Sequence, residues 1–273
     1  MKIGFSLTPG GLLLPYHLEA LDALKYNGLL RAETPIAGSS AGAIATACHG
    51  CQLDSKLILD ATIEMSDTCA SMGGARGRLL PLLRDRLSQY IGDEQLSNVQ
   101  QREGAMGIAY REIFPTNQSF LQTEFATTEE LMDAVCHSSM FPFFSTNWPV
   151  AVDTSRRIPR LMVDGFFTVS RDRFGAPDFA MGGIDVDRTV AISVFPKDAI
   201  GMAAFTSKDC ISPTYSGDSA QLENLVRLAT KPSSGKELTA LYESGFQDAE
   251  RWCRHQTGQA AEQSKSIHLS EKS

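Results

Sequence analysis

Gly38-Ser39-Ser40-Ala41-Gly42 is a G-x-S-x-G run between a short apolar stretch, Thr34–Ala37, and an Ala-rich stretch, Ser40–Cys48. A serine at a sharp strand-to-helix turn is placed to act as a nucleophile. Its hydroxyl projects where free helix N–H groups and the helix dipole favour a developing oxyanion. Gly38 and Gly42 suit that turn, where flanking side chains would collide and the serine backbone is strained. An ordinary Gly/Ser turn is the competing explanation, and the strand–helix context favours the nucleophile elbow.

Two further runs fit the same chemistry. Pro9-Gly10-Gly11 also lies between a strand pattern and a helix pattern, and adjacent glycines let backbone N–H groups turn inward as an oxyanion hole. A phosphate-cradling loop would need a full G-x-G-x-x-G, or a Lys-Ser/Thr after the glycines, and neither is present. Asp164-Gly165 follows Leu161-Met162-Val163, so a carboxylate stands at the end of a strand, where an α/β fold places a base. Alone, Asp-Gly is a turn signal; its weight comes from the other two runs.

The surrounding pattern predicts the elements that position these residues. Lys2–Leu7 reads as a strand. Leu18, Leu21, Leu24 and Leu29-Leu30 recur at helical spacing, with Gly28 as a stop. With the strand at Thr34–Ala37 and the helix from Ser40, this is the βαβ order of a parallel sheet. Further helices are predicted over Ser55–Met65, Leu79–Tyr90 and Gly235–His255. Another runs through His137, opened by a Thr127/Glu130 capping box. Strands are predicted over Met106–Phe114, Phe120–Thr127, Arg160–Val163 and Thr189–Phe195. One domain is expected over 1–257, followed by a polar, disordered tail over 258–273 that contains no aromatic residue.

Composition narrows the class. The 273 residues are 42% apolar and 21% charged, which excludes widespread disorder, collagen and coiled coil. Lys+Arg number 25 against 32 Asp+Glu, a net charge of −7 with no basic cluster, so nucleic acid is not an expected partner. Purely electrostatic adhesion to anionic lipid is disfavoured as well; an apolar contact with lipid remains open. No apolar run is long enough for a transmembrane helix, and no charged n-region leads into an apolar h-region, so no secretory signal is expected. The six scattered cysteines read as reduced, packed thiols, including the Cys48/Cys51 pair, which lacks a second CxxC or a spaced His pair for a metal.

The order Gly-rich loop, G-x-S-x-G, Asp-Gly resembles the patatin-like phospholipases over roughly Lys2 to Phe167. Tyr16-His17-Leu18-Glu19-Ala20-Leu21 is similar to the family helix after the oxyanion loop, and Gly38 to Ala43 to its elbow. Cys136-His137-Ser138-Ser139-Met140-Phe141-Pro142-Phe143-Phe144 resembles the Ala/Ser-rich segment that ends in an apolar–Pro stretch. The resemblance implies a three-layer α/β/α fold with a mainly parallel central sheet, and a Ser–Asp dyad without histidine. Ser40 would be the nucleophile, Asp164 the base, and the N–H groups of Gly10, Gly11 and Leu12 the oxyanion hole. The chain departs from many members at Pro9, which replaces a glycine, and at Leu13 and Leu14, where a basic residue and a last glycine stand. Phe166 takes the place of a small residue after Asp-Gly. Adipose triglyceride lipases also lack the basic residue, which points toward that branch.

The expected activity is hydrolysis of carboxylic esters of phospholipids, galactolipids or acylglycerols through an acyl-enzyme on Ser40, without metal or organic cofactor. Transfer of the acyl group to an alcohol is a variant of the same chemistry. Leu13, Phe141, Phe143 and Phe166 are the candidate acyl-chain pocket, with ordinary core as the competing role. The expected partners are a lipid substrate and, transiently, a membrane or lipid-droplet surface. An intracellular soluble or peripheral setting (cytoplasm, lipid droplet or plastid) fits this. Two other classes compete. One is a non-catalytic lipid-binding scaffold on the same frame. The other is a Ser-His-Asp α/β-hydrolase, disfavoured because only two predicted strands precede Ser40.

Overall fold

A computed structural model describes residues 1–155 and 157–270, with side chains described through residue 256. The elements are β1 (Ile3–Leu7), α1 (Leu14–Tyr26), β2 (Ile36–Gly38), α2 (Ala41–Gly50), α3 (Ser55–Ser71), α4 (Leu79–Tyr90) and α5 (Asp93–Gln100). Then follow β3 (Met106–Phe114), β4 (Gln118–Gln122), α6 (Thr128–Ser138), β5 (Ala151–Asp153), β6 (Arg160–Val163) and β7 (Arg188–Ile192). The chain closes with α7 (Lys197–Ile200), β8 (Cys210–Ile211), α8 (Ser219–Thr230) and α9 (Gly235–Ser270). The predicted tail over 258–273 falls where side chains, and the last three residues entirely, lie outside the described residues.

Eight strands form one sheet in the order β5-β6-β3-β2-β1-β7-β8, with β4 on the other side of β3. The run β3-β2-β1-β7-β8 is parallel, as the βαβ order requires. β4 and β6 both run antiparallel to β3. The two faces differ in residue size. Phe5, Leu7, Ile36, Ile108, Val190 and Ile192 point into the main core beneath the helices. The alternate positions are small: Gly4, Ser6, Ala37, Ala109 and Ala191. The stretch around Phe179 packs against them so closely that a Cβ at Gly4 would lie 2.6 Å from its ring. Period-two alternation thus builds one thick helical layer and one thin layer of short 3-10 turns, a three-layer α/β/α fold.

Several elements differ in extent from the sequence pattern. α3 runs to Ser71 and β4 ends at Gln122. The sequence pattern predicts neither α5 nor α8, each of which buries only two side chains, Leu96 and Val99 in one and Leu228 and Ala229 in the other. α6 is capped by Thr127, whose hydroxyl accepts the Glu130 N–H at 3.1 Å. The Glu130 carboxylate reaches back one residue further than a capping box, accepting the Ala126 N–H at 2.8 Å. Cys48 and Cys51 are buried free thiols, and burial pushes Cys51 up to about 12.

Candidate active site

The end of β2 leads directly into the elbow. Ser40 adopts φ 54°, ψ −121°, a strained conformation for a residue with a side chain, at the start of α2. Both flanking glycines are sterically required. A Cβ at Gly38 would lie 2.1 Å from the Gly42 carbonyl oxygen, and one at Gly42 would lie 2.6 Å from that of Leu7. As the N-cap of α2, Ser40 has no intrahelical acceptor for its N–H, and the Ser138 hydroxyl accepts it at 2.9 Å.

Asp164 reaches Ser40 by a route the sequence pattern did not contain. The carboxylate stands at the end of a strand, as the sequence pattern predicts, but the pattern gives no direction for that strand: β3 overruns the end of β2 and β6 runs back beside it antiparallel, with Val163 opposite Arg111. The return delivers Asp164 and Gly165 to the elbow. A Cβ at Gly165 would lie 2.8 Å from that of Ser39 and 2.9 Å from the Ser138 hydroxyl oxygen. Asp164 is fully buried, its own N–H donates to the Met140 carbonyl at 2.9 Å, and its Oδ1 accepts the Phe166 N–H at 2.8 Å. Its Oδ2 has no formed hydrogen bond. The Ser40 contact is therefore looser than a formed hydrogen bond. Burial pushes the Asp164 carboxyl up to about 7, opposed by the Phe166 N–H and the Ser40 hydroxyl, which favour the charged form.

The Gly-rich loop leaves β1 toward the same point. Gly11 sits at φ 58°, and a Cβ there would lie 2.3 Å from the Ala229 carbonyl oxygen. Among the described residues the N–H groups of Gly10 and Gly11 have no hydrogen-bond partner. Leu12 does not belong with them: its N–H donates to the Ala229 carbonyl at 3.0 Å, so the proposed third donor is already used. His17 braces the loop from α1. It is buried, and its Nε2 donates to the Thr8 carbonyl at 2.8 Å, because a carbonyl only accepts. Burial holds it neutral, with its pKa lowered to about 4.

Ser40, Ala41, Gly10 and Gly11 open onto a cavity of about 410 Å³. Its walls are apolar, with Leu12, Ile44, Leu83, Phe144, Phe174 and Phe195 among them, and among the described residues no histidine lines it. Phe141 and Phe166, two of the expected pocket residues, stand in this wall. The other two do not. Leu13 is wholly buried in the core under α1, and Phe143 points outward with 52% of its surface exposed. Sequence reasoning attached no role to Ser138 or Ala229. Ser138 is one hydroxyl among many, and the Ala229 carbonyl is a backbone atom, so neither carries a residue-type signal. Among the described residues no group of three or more His, Cys, Asp or Glu is placed to hold a metal ion. No helix among them is long and apolar enough to cross a membrane.

A family model described as patatin-like phospholipase matches residues 6–168. Among solved structures, the chain is similar to VipD from Legionella pneumophila, at 10% identity and a TM-score of 0.49; the match covers 92% of this chain and 67% of that one. No curated protein matches.

Proposed function

The chain belongs to the patatin-like phospholipase family, and on that premise we propose that it is a lipid acyl hydrolase working through a Ser40–Asp164 dyad. The Ser40 hydroxyl attacks the ester carbonyl as Asp164 takes its proton. The N–H groups of Gly10 and Gly11 hold the tetrahedral oxyanion. Collapse releases the alcohol, protonated by Asp164, and leaves the acyl group on Ser40. Water, deprotonated by Asp164, then attacks the acyl carbonyl, and collapse frees the fatty acid as Asp164 returns the proton to the departing Ser40 oxygen. A carboxyl poised near 7 suits both proton transfers close to neutral pH.

The observation that carries this reading is the convergence of three distant segments. A strained serine, a buried carboxylate and two unpartnered N–H groups meet beside one apolar cavity. The apolar wall supports an acyl chain as ligand, hence esters of phospholipids, galactolipids or acylglycerols at a membrane or droplet surface. The Leu13/Leu14 departure in the loop supports acylglycerols in particular, by its resemblance to adipose triglyceride lipases. The histidine-free wall supports a dyad over a triad.

A fluorophosphonate probe tests the reading. Intact mass is expected to gain one adduct, peptide mapping to place it on Ser40, and Ser40→Ala to lose both the adduct and ester turnover while melting normally. Labelling of a different serine, or a folded Ser40→Ala protein that keeps its turnover, would overturn the assignment. A folded wild-type chain that never reacts would be a scaffold.

A further inference from the structure

The mouth of the Ser40 cavity is bordered by a turn whose aromatic side chains face water. Phe141 lines the cavity and is also 39% exposed, so the cavity wall continues onto the surface. Beyond it, Phe143 is 52% exposed and Trp148 is 71% exposed, whereas the other tryptophan, Trp252, is buried against Phe5. Scattered exposed apolar residues are common. These are grouped and held in place. Phe143 adopts φ 59°, a costly conformation for a bulky side chain, and strain of this kind persists only where the surroundings impose it.

The surroundings do impose it. The Phe143 N–H donates to the Trp148 carbonyl at 3.2 Å, and Arg76 Nε donates to the Phe143 carbonyl at 2.9 Å. The N–H groups of Gly77 and Leu80 donate to the carbonyls of Phe144 and Ser145, at 2.6 Å and 3.0 Å. The turn is thus a rigid platform seated on the segment that opens α4. Both strips are free of acid in an acidic chain. No Asp or Glu occurs from Thr68 to Arg84 or from Ala134 to Val152, and exposed Arg76, in the first strip, is hydrogen-bonded to Phe143 in the second.

We propose that the Phe141–Trp148 turn, braced by Arg76–Leu80, docks this chain onto a phospholipid membrane surface and sets the cavity mouth against the bilayer. The proposal rests on the lipid-hydrolase reading of the Ser40 cavity. Trp and Phe side chains favour the boundary between headgroups and acyl chains. An arginine beside them reaches lipid phosphate while its stem stays in the apolar layer. Continuity through Phe141 lets an acyl chain pass from bilayer to cavity without crossing water.

Vesicles of phosphatidylcholine, with and without phosphatidylserine, test this on the full chain. Trp emission is expected to shift to the blue when vesicles are added to the wild type, and not in Trp148→Phe, because Trp252 is already buried. The double variant Phe143→Ala/Trp148→Ala is expected to lose vesicle affinity by about tenfold or more, since two anchoring aromatics are gone. Turnover of a water-soluble short-chain ester should stay within about twofold, which shows that the variant is folded and its catalytic groups untouched. Arg76→Gln should weaken binding more on the phosphatidylserine vesicles. Equal vesicle binding by the double variant, or a wild type that hydrolyses the soluble ester but ignores vesicles, would overturn the docking proposal. The second outcome would leave a protein partner as the occupant of the patch. Binding that depends on Phe143 and Trp148 in a chain with no ester turnover would instead sink the catalytic reading and leave the docking surface standing.

Discussion

The Ser138 hydroxyl accepts the backbone N–H of Ser40 across 98 positions of sequence, at 2.9 Å. At the N-cap of α2 that N–H has no intrahelical acceptor, and burial denies it water. Ser138, the last residue of α6, therefore holds the Ser40 backbone while staying buried outside the cavity lining.

Ser138→Ala is expected to leave a buried N–H unpaired, at a cost of about 1–3 kcal/mol. Part of that cost should appear as a relaxed elbow. Ester turnover is then expected to fall about tenfold or more in kcat, with KM little changed, because the cavity wall is intact. Kinetics on a soluble ester, beside a thermal melt, check it. A full wild-type kcat would mean that Ser40 finds another acceptor.

Asp164→Asn is expected to lose about 10²–10⁴ in kcat, because an amide does not take the serine proton. In the wild type, kcat/KM should rise with pH through about 7 and then level off, as the carboxyl ionises. Stability runs the other way. The folded pKa lies above the ordinary 3.8, so the folded state holds its proton more tightly. This contribution is fully present below that value and is lost as pH rises through about 7. Asp164→Asn should therefore melt above the wild type at about pH 8 and near it at about pH 4. Melts at the two pH values decide it; an advantage only in acid would contradict the assignment.

The two loop glycines are expected to respond differently to a methyl group. At Gly11 it meets the Ala229 backbone carbonyl at 2.3 Å with φ at 58°, so Gly11→Ala should lower the melting temperature as well as turnover. At Gly10 it meets side chains rather than backbone, Val194 at 2.8 Å and Leu13 at 3.5 Å, and Gly10→Ala should cost less stability. Displacing one oxyanion donor costs on the order of 10²–10³ in kcat. Normal rates in both variants would put the oxyanion hole elsewhere.

Single replacement of His17, His49, His137 or His255 by Gln is expected to keep kcat within about tenfold, roughly 1.4 kcal/mol in barrier. His17 has the largest structural stake, since its ring bonds the carbonyl just before the Gly-rich loop. Its variant should lose melting temperature first. His268 lies outside the described side chains. In a triad enzyme, loss of the histidine costs near 10⁶-fold, so one folded variant at that level would replace the dyad with a triad.

Much of the site was legible because its demands are local. A turn too tight for a Cβ must be glycine at Gly38 and Gly42, and it must lie between a strand and a helix, each with its own period. The Gly10-Gly11 pair and Asp164-Gly165 carry the same kind of short-range signature. The sequence by itself therefore determined the parallel βαβ start, the elbow and the candidate nucleophile and base. What it did not determine depends on partners far along the chain. Period-two and helical patterns say that a residue is buried, not against what. Leu13 went into the core and Phe143 out to the surface, and only the packed neighbours distinguish them. The antiparallel return of β6 was decided by pairing with the overrun of β3. The Leu12 N–H was taken by Ala229 and the Ser40 N–H by Ser138. Backbone groups look alike in every sequence, so only tertiary contact settles which of them stay free for chemistry.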